Sequence, residues 1–149
     1  MSTYTNIIYH IIFGTKNHAK TLTSQNKEQL YKYIWGIIQN KNSHLYRIGG
    51  IENHLHILAS LHPSISVADF IRELKVNSSK WIKEEHLFPL FDGWQKGYSV
   101  FSVSESNKNN LIEYIKNQEE HHKKKSFTEE WKEFLDKNGI KYNERYIIE

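Results

Sequence analysis

The chain has 149 residues, of which 38% are apolar, 25% charged and 13% aromatic, a size and composition suited to one compact domain with a real core. Twenty Lys and Arg against seventeen Asp and Glu give a formal charge of +3, so any attraction to a polyanion has to come from clustered basic side chains. Because Cys is absent, disulfides, thiolate zinc sites and a cysteine nucleophile are excluded, which leaves His, carboxylates, amides and Tyr for chemistry.

Residues 1–13 are apolar only in short alternating bursts, with no basic n-region and no small-residue cleavage site. No apolar run approaches the roughly 18 residues that span a bilayer, so a cytoplasmic protein without a membrane partner is expected. Residues 4–15 alternate and are rich in Ile, Tyr and Phe, which predicts a strand covered on both faces and central in a sheet. Ser24 can start a helix in which Leu30, Ile34, Ile37 and Ile38 recur at helical spacing up to about Asn40. A strand over 45–51, weakened by Gly49 and Gly50, turns at Asn53 into a cleaner strand over 54–61, and the two should form a hairpin. Ser66 with Asp69 resembles a capping box, and Val67, Phe70, Ile71, Leu74, Ser78, Trp81 and Ile82 make one face of the helix that follows. Residues 87–97 mix Pro89, Gly93 and Gly97 with Phe88, Phe91 and Trp94, the mark of an ordered irregular loop. A fourth strand over 98–103 leads to a third helix from Ser106 or Asn107 to about His122, and a short amphipathic helix carrying Phe127, Trp131, Phe134 and Leu135 ends near Gly139. This order predicts an α+β, ferredoxin-like split βαβ antiparallel sheet with helices on one face, plus a C-terminal helical extension at about 126–149. Only two Pro, seven Gly and no repeat leave no linker, so residues 1–149 read as a single domain.

The residues that could carry chemistry fall on two of these elements. His54 and His56 flank Leu55 on the third strand, so both imidazoles leave one face of the sheet and can chelate a divalent ion, or simply lie at a partly exposed strand end. Tyr114 and Gln118 are four apart and share a helix face. A Gln oxygen suits Mg²⁺ or Mn²⁺ and a Tyr hydroxyl can act as a covalent nucleophile. The bland alternative has Tyr114 packed beside Leu111 and Ile115 with Gln118 in water. No carboxylate is placed by sequence as a base, and Glu113, Glu119 and Glu120 read as solvated helix charges.

His54-Leu55-His56 preceded by Ile51-Glu52-Asn53, the helix with Ile71-Arg72-Glu73-Leu74-Lys75, Trp94-Gln95-Lys96-Gly97-Tyr98 and Tyr114-Ile115-Lys116-Asn117-Gln118 together resemble the single-tyrosine HUH transposases of small bacterial insertion sequences. The likeness runs from Tyr9 to His122. It implies a metal-dependent endonuclease and strand transferase for single-stranded DNA that recognises hairpins near the ends of its element. By position it implies His54, His56 and Gln118 as ligands of Mg²⁺ or Mn²⁺ and Tyr114 as the nucleophile of a 5′-phosphotyrosine intermediate, with no nucleotide cofactor. It further implies a homodimer with composite active sites. Lys16, Arg72, Lys75, Lys80 and Lys96 are candidate phosphate contacts, Tyr98, with Trp94 and Phe91, is a candidate base-stacking group, and His121 is a possible auxiliary group one turn beyond Gln118. The alternative function is a catalytically inactive or domesticated protein that only binds single-stranded or hairpin nucleic acid.

Overall fold

In a computed structural model, which describes residues 2–146, the first strand, β1 (Ile8–Gly14), is central. It pairs antiparallel with β3 (His54–Ser60) on one side and β4 (Ser99–Val103) on the other, and β2 (His44–Ile51) pairs antiparallel with β3. The order β2-β3-β1-β4 is that of the ferredoxin-like split βαβ unit. β1 starts later than its alternating pattern suggests because its partners run out. Ile8 faces the last residue of both neighbouring strands, Ser60 and Val103, and Tyr4 beyond it is 90% exposed.

Alternation along the strands sorts side chains to two faces. Ile11 and Phe13 of β1 with Leu55, Ile57 and Ala59 of β3 form the main core under α1 (Lys27–Asn40) and α2 (Val67–Glu84). The periodic residues Leu30, Ile34 and Ile38 of α1 and Phe70, Ile71, Leu74 and Ile82 of α2 are the ones buried there. Each such side chain contributes about 1.5–3 kcal/mol by leaving water. Ser66 caps α2, its Oγ accepting the Asp69 N–H at 3.1 Å. The irregular loop joins the same core through Leu87, Phe88, Phe91 and Trp94, and the Trp94 indole N–H donates to buried Ser78 at 2.9 Å.

The second face carries Ile8, His10 and Ile12 of β1 with His54, His56 and Leu58 of β3. The C-terminal part of the chain covers it with α3 (Lys108–Lys116), α4 (Gln118–His121) and α5 (Phe127–Lys137). Ile115 of α3 packs on Ile8 and Leu58, while Phe127, Trp131 and Leu135 of α5 pack around Ile12 and Phe101. The extension therefore lies on the face opposite α1 and α2, and its residues 147–149 are outside those described. Among the described residues no helix is long and apolar enough to cross a membrane.

Two local features set where these helices go. The third helix does not run unbroken to His122. At Asn117 (φ −98°, ψ 25°) the backbone N–H is shared between the Glu113 and Tyr114 carbonyls at 3.1 and 3.2 Å, which tightens the turn and restarts the chain as α4. Gly49, read as weakening β2, instead gives it a bare surface. A Cβ there would meet the Ile115 carbonyl oxygen at 2.7 Å, so the end of α3 docks where only glycine leaves room.

Candidate active site

His54 and His56 stand opposite Gly14 and Ile12 of β1, and both are fully buried because α5 lies across them. The Phe127 ring stacks flat on His54 with centroids 4.0 Å apart. One turn further along the same face of α5, Glu130 projects into the space between the histidines and α3–α4. Its Oε1 lies 2.8 Å from His56 Nε2 and 3.3 Å from the Nε2 atoms of both His54 and His122. Its Oε2 accepts hydrogen bonds from Gln118 Nε2 at 2.9 Å and from the Tyr114 hydroxyl. Tyr114, Gln118, His54 and His56 thus meet around one buried carboxylate.

Each imidazole is fixed from behind. His54 Nδ1 lies 2.8 Å from Asn53 Oδ1 and its Nε2 lies 2.9 Å from Gln118 Oε1. His122 Nδ1 donates to the Lys125 carbonyl at 2.8 Å, and its Nε2 lies 3.1 Å from the same Gln118 oxygen. Behind His56, its Nδ1 lies 2.8 Å from Nε2 of His10, a buried residue of β1. Such partners orient a ligand ring and choose its tautomer.

Burial takes the His54 imidazole down to about 4 against the opposing pull of Glu130, and burial followed by the neighbouring His56 takes His10 well below its usual range. Burial alone would raise the Glu130 carboxyl, but His56 and hydrogen bonds from His122, His54 and His56 outweigh it and hold the acid well below the ordinary carboxylate range. Burial, and then the charge of Glu130, push the Tyr114 phenol above its usual value. The resting arrangement is therefore an ionised Glu130 accepting a proton-bearing phenol.

Of the two adjacent histidines, it is His122 whose Nε2 reaches the Gln118 oxygen. His121 stacks on the Tyr114 ring, with centroids 4.4 Å apart. The candidate DNA contacts are scattered. Arg72 pairs with Asp69 at 3.1 Å and Lys80 with Glu84 at 3.9 Å, both on α2, across the sheet from the histidines. Lys75 donates to the Lys96 carbonyl at 3.1 Å, and Lys16 pairs with Asp92 at 3.4 Å. Lys96 and Tyr98 lie just before β4, Tyr98 being 38% exposed. Trp94 and Phe91 are buried in the core, which removes them as base-stacking groups. A cavity of about 480 Å³ lies beside Tyr114, with Lys124, Lys125, Lys137, His121 and Phe134 in its wall, and is large enough for a backbone phosphate.

Glu130, His122 and His10 escaped the sequence reading. Glu130 had a legible signal, since positions 127, 130, 131, 134 and 135 form one helix face and a lone acid within that apolar stripe asks for a buried partner. His10, inside an otherwise apolar strand, gave the same kind of signal. For His122 the signal was its spacing, since it lies four residues beyond Gln118 as Gln118 lies four beyond Tyr114.

The chain is 27% identical over 123 residues to the transposase for insertion sequence element IS200 of Salmonella typhimurium, covering 79% of this chain and 80% of the relative. It is 24% identical over 119 residues to the ISDra2 transposase TnpA of Deinococcus radiodurans, covering 74% and 82%. A crystal structure of a Deinococcus radiodurans protein assigned as a transposase superposes with a TM-score of 0.63 at 25% identity, over 79% of this chain and 95% of that one. The fold is also that of a REP-associated tyrosine transposase solved with a REP hairpin, with a TM-score of 0.62 at 15% identity over 82% and 74% of the two chains. The family described as "Transposase IS200 like" matches residues 3–118, most of the chain and all of the sheet, and the protein belongs to that family.

Proposed function

We propose that the protein cuts and rejoins single-stranded DNA, with Tyr114 as the nucleophile and His54, His56 and Gln118 holding Mg²⁺ or Mn²⁺. The observation that carries this reading is the meeting of the Tyr114 hydroxyl with both strand histidines and Gln118 around Glu130. Imidazole nitrogens and an amide oxygen are a donor set that fits such a cation, whose charge, when bound, would polarise the scissile phosphate and stabilise the departing oxygen.

The chain's own residues supply the rest. Glu130 Oε2 holds the phenol by its proton and so fixes the direction of its lone pairs. As the Tyr114 oxygen bonds to phosphorus, the phenolic proton leaves toward Glu130, the bond from phosphorus to the 3′-oxygen breaks, and that oxygen takes a proton from solvent. The products are a 5′-phosphotyrosine and a free 3′-OH. A second 3′-OH then reverses the step on a new strand, so the linkage energy is kept and no nucleotide cofactor is used. Lys124 and Lys137 beside Tyr114 are suited to guide the phosphates, and Phe134 and His121 pack against its ring and hold it in place.

Hairpins at the ends of a mobile element are the proposed substrate, in line with the hairpin bound by the fold relative. Two copies acting as a homodimer would hold two ends together. Within one chain Tyr114 lies 5.9 Å, ring to ring, from His56, and in a homodimer with composite sites the same residues would meet across the two copies.

The test is to incubate the full chain with labelled single-stranded DNA from both flanks of its gene, with Mg²⁺, Mn²⁺ or chelator. A metal-dependent adduct that survives denaturation is expected in the wild type and not in Tyr114→Phe, which should still bind DNA. Binding without an adduct under any metal would turn the reading toward a nucleic-acid-binding protein without catalysis.

A further inference from the structure

Hydrogen-bond accounting around Gln118 leaves a gap that a cation would fill. The Gln118 amide is fixed in orientation because its Nε2 donates to Glu130, so its Oε1 is an acceptor aimed at the Nε2 atoms of His54 and His122, 2.9 and 3.1 Å away. On the far side of each ring stands another acceptor, the Asn53 side-chain oxygen for His54 and the Lys125 carbonyl for His122. A neutral imidazole has one N–H to share between its two nitrogens. Both rings therefore face acceptors on both sides, and with Nδ1–H donating outward each turns a bare Nε2 lone pair toward Gln118 Oε1 and Glu130 Oε1.

The spacing matches a shared ion. Ligand atoms about 2.1 Å from one cation, at angles between octahedral and tetrahedral, lie about 3.0–3.4 Å from each other. The four contacts of His54 and His122 with Gln118 Oε1 and Glu130 Oε1 measure 2.9, 3.1, 3.3 and 3.3 Å, and among the described residues His54, His122 and Glu130 form a cluster able to hold a metal ion. Glu130 and His122 both lie beyond residues 3–118, the part that matches the family.

We propose that Glu130, from the C-terminal extension, and His122, from the end of α4, are ligands of the divalent ion alongside His54 and Gln118. This rests on the metal-dependent reading of the site above. Glu130 then has two jobs, Oε1 on the ion and Oε2 on the Tyr114 hydroxyl, which ties the nucleophile to the metal through one carboxylate. His56, a ligand in that reading, lies 2.8 Å from Glu130 Oε1 and is backed by His10, so it belongs to the same set.

The test is calorimetric titration of the full chain with Mn²⁺, without DNA, for the wild type, Glu130→Gln, His122→Gln and His54→Ala. Glu130→Gln keeps the shape of the side chain, and His122→Gln leaves the α5 contact with the sheet untouched, so one of the two reports even if the other fails to fold by circular dichroism. Loss of at least about tenfold in Mn²⁺ affinity in both variants, or in the one that folds, is the expected result. Unchanged or tighter binding in them, with loss in His54→Ala, would overturn the proposal and mark Glu130 as a plug that competes with the ion, while leaving the metal-dependent reading standing. No Mn²⁺ binding by the wild type would overturn both.

Discussion

The chemistry of this protein is concentrated in a few buried polar side chains, and His10 shows how far the control of their orientation reaches. It touches neither Tyr114 hydroxyl nor Gln118, yet its Nε2 lies on His56 Nδ1 and decides which nitrogen of His56 carries the proton. Replacing it with Leu, close in size, leaves a buried imidazole nitrogen unpaired. The expected cost is about 1–3 kcal/mol of stability and a 10- to 100-fold fall in metal-dependent adduct formation, of the order seen when the partner behind a ligand is lost. A melting curve and the adduct assay on His10→Leu check both parts. At this scale the sequence was half legible. The His-x-His spacing on a strand and Tyr114 with Gln118 were visible because periodicity alone predicts their faces. Glu130 was not recognised because its partners lie far away in sequence, and a carboxylate is read as solvated until the fold brings imidazoles to it.

At the scale of elements, the arrangement depends on α3 and α5 docking at two glycines. Gly49 admits the end of α3, and Gly14 lies under Phe127, whose Cε2 would be 2.7 Å from a Cβ placed there. Gly49→Val should therefore push α3 off the sheet and carry Tyr114 with it, at about 1–3 kcal/mol for overpacking. Phe127→Ala should loosen α5 by about 3–5 kcal/mol and uncover the face of His54. Denaturant unfolding measures both, and equal stability to the wild type in both would contradict the docking described here. The strands, α1, α2 and the capped start of α2 were readable because each follows a strong hydrophobic period with its own stop signal. The break at Asn117 was not, since nothing in Lys116-Asn117-Gln118 forbids a helix. Contacts of the following turn, such as the Lys27 pairing with Glu119 at 3.3 Å, favour the bent path.

For the whole molecule the modest charge of +3 leaves binding to local clusters, and the cluster nearest Tyr114 is that of Lys124, Lys125 and Lys137. Lys125 is already paired with Glu133 at 2.6 Å, which leaves Lys124 and Lys137 as the better phosphate contacts. Changing both to Ala should weaken single-strand binding and flatten its salt dependence by about one unit of log–log slope per lost contact. Arg72→Ala, on the far side of the sheet, should leave that slope unchanged. Equal slopes in all three proteins would place the DNA elsewhere. The sequence spread its basic candidates over the whole chain because charge has no period. Only the fold separates those beside the nucleophile from those on α2.

The measurement that tests the central claim most directly is mass-spectrometric mapping of the covalent product. The wild type is incubated with flanking single-stranded DNA and metal, the adduct is digested with nuclease and protease, and the peptide that retains a nucleotide is sequenced. The remnant is predicted on Tyr114. A remnant on another residue, such as Tyr142 or Tyr146, or strand cleavage without any protein-linked nucleotide, would contradict the account.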